Sequence, residues 1–274
     1  MPAHEPVTVP PPPPSLRQRR RAVAVQEILD AAERHLAEHG PHALSLRAVA
    51  RGLGMTVQAL YHYFPSRDAL VTALITKAYD DLADAVRAAV DNGGTQADGS
   101  VLPGTVVAAE GYRRWAIDNP ERFQLLYGTP LRYYAAPLDG PTTRAVRRMG
   151  AAFQRELFGG FTPAQLAAAD VPPLSPSLRA HLEHMPAESP EAAVPPAATA
   201  LFLSAWGHLH GLVILEVFGH TDFLGDHRAE IFRTAISNLL EDVHRRISTP
   251  VEARNITALD APFRAEGDVA TAGG

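Results

Sequence analysis

The residues whose types and spacing could do chemistry lie between Ser45 and Arg67, SLRAVARGLGMTVQALYHYFPSR. Gln58 and His62 stand four apart, so on a helix they share one edge and present an amide beside an imidazole. Val57, Leu60 and Phe64 form the opposite, apolar stripe, with Ala59, Tyr61 and Tyr63 on the flanks. Two short helices must position this set. Ser45 can cap the first, which runs from Leu46 to Leu53, and Gly52–Gly54 supplies the turn because Gly reaches positive φ without a Cβ clash. Thr56 can cap the second, which stops before Pro65. A helix of under three turns with polar and aromatic groups facing outward is a poor core element and a good probe for a groove. The pattern predicts a helix–turn–helix.

The segment LSLRAVARGLGMTVQALYHYFPSRDAL resembles the DNA-binding domain of the TetR family of bacterial transcription regulators. The resemblance covers about residues 20–80. It rests on Ser45-Leu46-Arg47, Leu53-Gly54-Met55, Leu60-Tyr61, Tyr63-Phe64 and Ser66-Arg67. It implies that Val57, Gln58, Ala59 and His62 face base edges in double-stranded DNA. Gln58 suits adenine N6 and N7, and His62 suits guanine N7 or a thymine methyl. Arg47 can reach a guanine or a phosphate, while Ser45, Thr56, Tyr61, Tyr63 and Arg67 offer phosphate contacts. Periodicity and resemblance disagree on Val57, which the helical wheel places on the buried stripe. The resemblance further implies a homodimer on a pseudo-palindromic operator, repression by occupancy, and a small-molecule ligand in the remainder of the chain.

Charge supports a basic reading head. The net charge of the 274-residue chain is −5, yet residues 15–77 carry nine Lys and Arg against five acids. A basic head on an acidic body fits phosphate contact by one domain. The absence of Cys removes thiolate catalysis, thiolate metal sites and disulfides, and fits a reducing, cytoplasmic setting. No run of about 18 apolar residues is evident, so no membrane span is expected. His181/His184 and His208/His210 lack metal-site context, and there is no phosphate loop, nucleophile elbow or HExxH pattern. No cofactor, metal or enzymatic activity is expected.

The predicted fold class is all-α, with an N-terminal three-helix domain joined to a larger helical one. Residues 1–20 read as a disordered Pro-rich tail ending in a basic arm, Arg17, Arg19, Arg20 and Arg21, which is either a contact to a phosphate backbone or minor groove or a solvated charge run. Residues 21–66 form the helix–turn–helix domain, 67–248 a helical regulatory and dimerisation domain, and 249–274 a disordered tail. A first helix is expected over about 21–39 and a long fourth one over 67–90, leaving the head for the body. Residues 91–104 and 129–139 read as loops. Further helices are expected at 105–118, 120–126, 141–158 (Val146, Met149, Phe153 and Leu157 inward), 177–184, 197–218 and 226–247.

The helix at 197–218 is apolar on nearly every side, which predicts burial on nearly every side. Its Trp206, His210 and Gly211 resemble the W-H-G signature of one class of TetR C-terminal domains. With the last helix it is the candidate dimer interface. Tyr112, Trp115, Phe123, Tyr127, Phe153, Trp206 and His210 are the candidate ligand-pocket residues, each with ordinary core as its alternative. The competing function is an all-helical ligand-binding or scaffold protein whose helix–turn–helix makes protein contacts.

Overall fold

Capping side chains and helix breakers divide the chain much as the sequence predicts. The computed structural model describes residues 15–95, 99, 101–128, 140–185 and 193–248. The expectations for residues 1–14, 129–139 and 249–274 fall outside the described residues. The helices are α1 (Leu16–His39), α2 (Leu46–Gly52), α3 (Val57–Tyr61), α4 (Arg67–Asn92), α5 (Gly104–Asp118), α6 (Pro120–Tyr127), α7 (Pro141–Phe158), α8 (Pro163–Ala167), α9 (Pro176–Glu183), α10 (Pro196–Val217) and α11 (Arg228–Ser248). Among the described residues extended pairing is confined to one bridge, Thr95 to Val101. The fold is all-α.

Two apolar cores organise these helices. Ile28, Leu36, Leu44, Val49, Leu60 and Phe64 fill the smaller one, in the head. That core also takes Leu70, Val71 and Leu74 from α4 and Leu125 from α6, all beyond residue 66. The larger core gathers α5, α7, α10 and α11 around the second half of α4, where Ala78, Leu82, Ala83 and Val86 are buried. Gly111 permits the tight seat of α5 on α4: a Cβ there would come within 2.8 Å of the Ala89 methyl.

Four differences from the sequence reading have physical causes. Helix α1 starts at Leu16, five residues before the predicted start, because Ser15 and Gln18 make a reciprocal capping box. Arg17, Arg19, Arg20 and Arg21 are therefore helical rather than a loose arm. Helix α3 closes after Tyr61; the Tyr63 and Phe64 amides then both bond the Leu60 carbonyl in a tightened last turn.

Val146 is 39% exposed, because α7 turns Ala145, Met149, Ala152 and Phe153 inward instead. Helix α10 is not buried all round. Ala198, Leu201, Ala205, Leu209 and Val213 face the core, whereas Leu203, at 52%, and Leu215, at 44%, face outward. By length and composition α10 could cross a membrane, although it holds no unbroken apolar run of that length. Here it is a body helix with one face committed to the core.

Leu60 is the one fully buried side chain of α3. Leu60→Ala should therefore lower stability by about 2–5 kcal/mol, read as a drop in urea midpoint with unchanged m-value.

Candidate nucleic-acid interface and regulatory core

The outer edge of α3 is built from caps inward. Ser45, Thr56 and Ser66 each accept a hydrogen bond from the backbone N–H three residues on, at 3.2, 3.1 and 3.0 Å. Each cap contributes about 1 kcal/mol and leaves its own hydroxyl proton free to be donated. Gly54, at φ 64°, makes the turn between α2 and α3. Leu60 and Phe64 then anchor the inner side, and Gln58, Tyr61 and His62 stand exposed on the outer side. Arg47 is exposed on α2. Ala59 is half-buried. Val57 is half-buried too and packs against the head core, as the helical wheel indicates.

Two arginines hold this edge in place. The Arg67 Nε–H donates to the Leu44 carbonyl at 3.0 Å, which ties the start of α4 to the segment entering α2. From α1, an Arg21 guanidinium N–H donates to the His62 carbonyl at 3.2 Å. The same group lies 5.3 Å from the centroid of the half-buried Tyr63 ring. Spacing along the chain gave no sign of the Arg21 contact, since 41 residues separate the partners.

The head is joined to the body by charge as well as by apolar packing. Lys77 Nζ lies 3.0 Å from both Glu33 of α1 and Asp81 of α4. Arg122 of α6 pairs with the same two acids, at 3.3 Å from Glu33. Its guanidinium also sits 5.3 Å from the Trp115 ring centroid. Burial opposes charge on both Lys77 and Asp81, but their hydrogen-bonded partners prevail, raising the Lys77 pKa and lowering that of Asp81.

Of the seven candidate pocket residues, six form one aromatic cluster. Tyr112, from α5, meets Phe123, Phe153, Trp206 and His210 at centroid distances of 6.2, 5.9, 5.3 and 6.2 Å. Tyr127 lies 4.4 Å from His210, and Trp206 stacks on His210 at 5.5 Å. Trp115 is the exception, because its ring pairs with Arg122 outside this set. Tyr79, which the sequence reading omitted, packs edge-on against Tyr127.

The polar centre of the cluster is a 2.8 Å contact between the Tyr112 hydroxyl and His210 Nδ1. Desolvation lowers the His210 pKa and raises that of Tyr112, so a neutral imidazole and a protonated phenol share this hydrogen bond. The Tyr127 hydroxyl is buried beside them outside hydrogen-bond geometry. Packing is close at the centre, since Tyr112 and Phe123 are wholly buried. Open space begins at the edge, in a narrow apolar cleft lined by Thr105, Phe153, Phe202, Trp206, Leu209 and Leu239, among others.

A helix–turn–helix on a separate helical body, with its polar edge outward, defines a DNA-binding transcription regulator. Comparison with known proteins agrees. Residues 28–74 match the family model for bacterial regulatory proteins of the tetR family, and residues 106–239 match that for a tetracyclin repressor-like C-terminal domain. An HTH-type transcriptional regulator of Mycobacterium tuberculosis is 39% identical over 202 residues, covering 73% of this chain and 84% of the relative. The solved structure of the regulatory protein SCO4313 superposes with a TM-score of 0.63 at 33% identity, covering 83% of this chain and all of that one. A Rhodococcus protein of unknown function shares the fold at 21% identity, with a TM-score of 0.55 and coverage of 80% and 94%. The chain belongs to the TetR family of transcription regulators. The scaffold alternative finds no support among these relatives.

The His210 shift makes stability depend on pH. The unfolded chain takes up a proton near pH 6.5 that the fold resists until a lower pH. The His210 contribution is therefore complete above about pH 6.5 and is lost as pH falls through the lowered folded value. Thermal melts from pH 8 to pH 5 should show this acid-side loss, and His210→Gln should flatten it.

Proposed function

We propose that the protein acts as a homodimer on a pseudo-palindromic operator, represses by occupancy, and is released by a small molecule bound in the body. The observation that carries the DNA-reading part is the division of α3: Leu60 is buried while Gln58, Tyr61 and His62 are exposed together. On this reading Gln58 and His62 take base edges, with Ala59 alongside. Arg47, Tyr61 and the hydroxyls of Ser45 and Thr56 take phosphates. Tyr63 and Arg67 act chiefly by fixing the surrounding backbone, and Val57 by packing. Acting on the chromosome, the protein would work in the cytoplasm.

The outward face of α10 supports the dimer. Leu203, Leu215 and Phe218 are 52%, 44% and 43% exposed there, and Ile231 of α11 is 49% exposed. Gly207 and Gly211 lie on the same helix, and a Cβ on either would meet nothing within 4 Å. Glycine inside a helix costs about 1 kcal/mol relative to Ala. Nothing among the described residues fills that space, whereas a second helix approaching closely would use it.

The ligand reading rests on the aromatic cluster and the apolar cleft at its edge, which share Phe153 and Trp206. Helix α6 carries Phe123 and Tyr127 into the cluster, Leu125 into the head core, and Arg122 to Glu33. A ligand preferring one arrangement of the cluster would thereby favour one placement of the head, shifting operator affinity by its differential binding energy.

Two measurements test these parts separately. Fluorescence anisotropy with the DNA upstream of the protein's own gene should show saturable, sequence-selective binding that weakens with salt. Gln58→Ala should cost about 1–3 kcal/mol on that operator and relax selectivity; equal loss on every duplex would remove Gln58 from base readout. In sedimentation equilibrium the parent chain should be a dimer at micromolar concentration, and Leu203→Glu with Leu215→Glu should give folded monomers. A monomeric parent would overturn the dimer reading.

A further inference from the structure

The amino-terminal turns of α1 bury almost nothing. Every residue from Ser15 to Val23 is exposed, including Leu16 at 69% and Val23 at 59%, and full burial begins only at Ile28. These turns also precede the segment matched by the family model, which begins at residue 28. Core packing does not explain their composition, and the family model does not extend to them.

Their charge is one-sided. Arg17, Arg19, Arg20 and Arg21 occur without an acid between Ser15 and Gln26. Arg17, Arg20 and Arg21 are related as i, i+3 and i+4, so they share a helix face. Cations at a helix N-terminus oppose the macrodipole and repel one another, which disfavours this arrangement in isolation. The Ser15–Gln18 capping box holds the helix despite it. A polyanion along that face would remove the conflict.

Position supplies the partner. Arg21 fastens this face to the end of α3 through the His62 carbonyl at 3.2 Å and the Tyr63 ring at 5.3 Å. Arg17 lies one turn further out along the same face, with Arg20 beside it, and neither meets an acid among the described residues. The basic face is thus continuous with the DNA-reading edge.

We propose that the amino-terminal turns of α1 are a second DNA-contacting element. Arg17 and Arg20 take phosphate oxygens of the duplex flanking the half-site, and Arg21 holds the element in register with α3. The proposal rests on the DNA-binding reading and adds a contact outside the helix–turn–helix.

The test uses the full chain and two duplexes from the DNA upstream of its own gene. One is trimmed to the sequence read by α3; the other is extended by one helical turn on each side. On the extended duplex Arg17→Gln with Arg20→Gln should weaken binding. It should also make the log–log salt slope shallower by about two for each subunit bound. Preference for the operator over unrelated duplex should be unchanged. Trimming the flanks should weaken the parent chain and leave the double variant unmoved. Matching thermal melts would exclude misfolding as the cause. A double variant that keeps the parent affinity and salt slope overturns the proposal, as does equal sensitivity of both proteins to trimming. Failure of the parent to bind any duplex would instead overturn the DNA-binding reading beneath it. An acidic protein partner for this face would show as intact DNA binding in the variant.

Discussion

Helix α4 is buried in two cores along its length, and the behaviour of both domains depends on that constraint. Leu70, Val71 and Leu74 belong to the head, while Ala78, Leu82, Ala83 and Val86 belong to the body. Both cores are close-packed around this one helix, so the two domains share a single rigid element. The four charged groups Glu33, Lys77, Asp81 and Arg122 stitch α1 and α6 to the middle of the same helix. These charges keep partial contact with water, so their pairing adds little net stability.

Helix α3 is too short to hold itself. Five residues close a single turn of hydrogen bonds, well below the length at which an isolated helix is stable. Its geometry is imposed from outside by the Thr56 cap, the buried Leu60 and Phe64, and the Arg21 contact to the His62 carbonyl. The same logic explains why the outward residues can be so polar. Stability comes from the inner side and the ends, leaving Gln58, Tyr61 and His62 unconstrained by packing.

In the body, ring packing surrounds one polar pair. Burial keeps Tyr112 protonated and His210 neutral, and one hydrogen bond joins the phenol to the imidazole Nδ1. Tyr127 joins them by ring contact with His210 while its buried hydroxyl stays outside hydrogen-bond geometry. Because Tyr127 and Phe123 sit on α6 together with Leu125 and Arg122, any change in ring packing acts on a helix that also touches the head.

Much of this was legible in the chain itself, where the deciding physics is local. Ser45, Thr56 and Ser66 cap the helices they precede, Gly54 takes positive φ, and the apolar stripe through Leu60 and Phe64 faces inward. Those features depend on residues within about one turn of each other, so side-chain type and spacing suffice. The early start of α1 rests on an equally local capping box, but the four arginines after it give the segment the composition of an arm. Tertiary structure alone decided the rest: Arg21 reaching His62, Glu33 meeting Arg122, Trp115 leaving the aromatic cluster for Arg122, and α10 keeping an apolar face outward. Each of these depends on where distant segments come to lie, and a one-dimensional pattern does not contain that information.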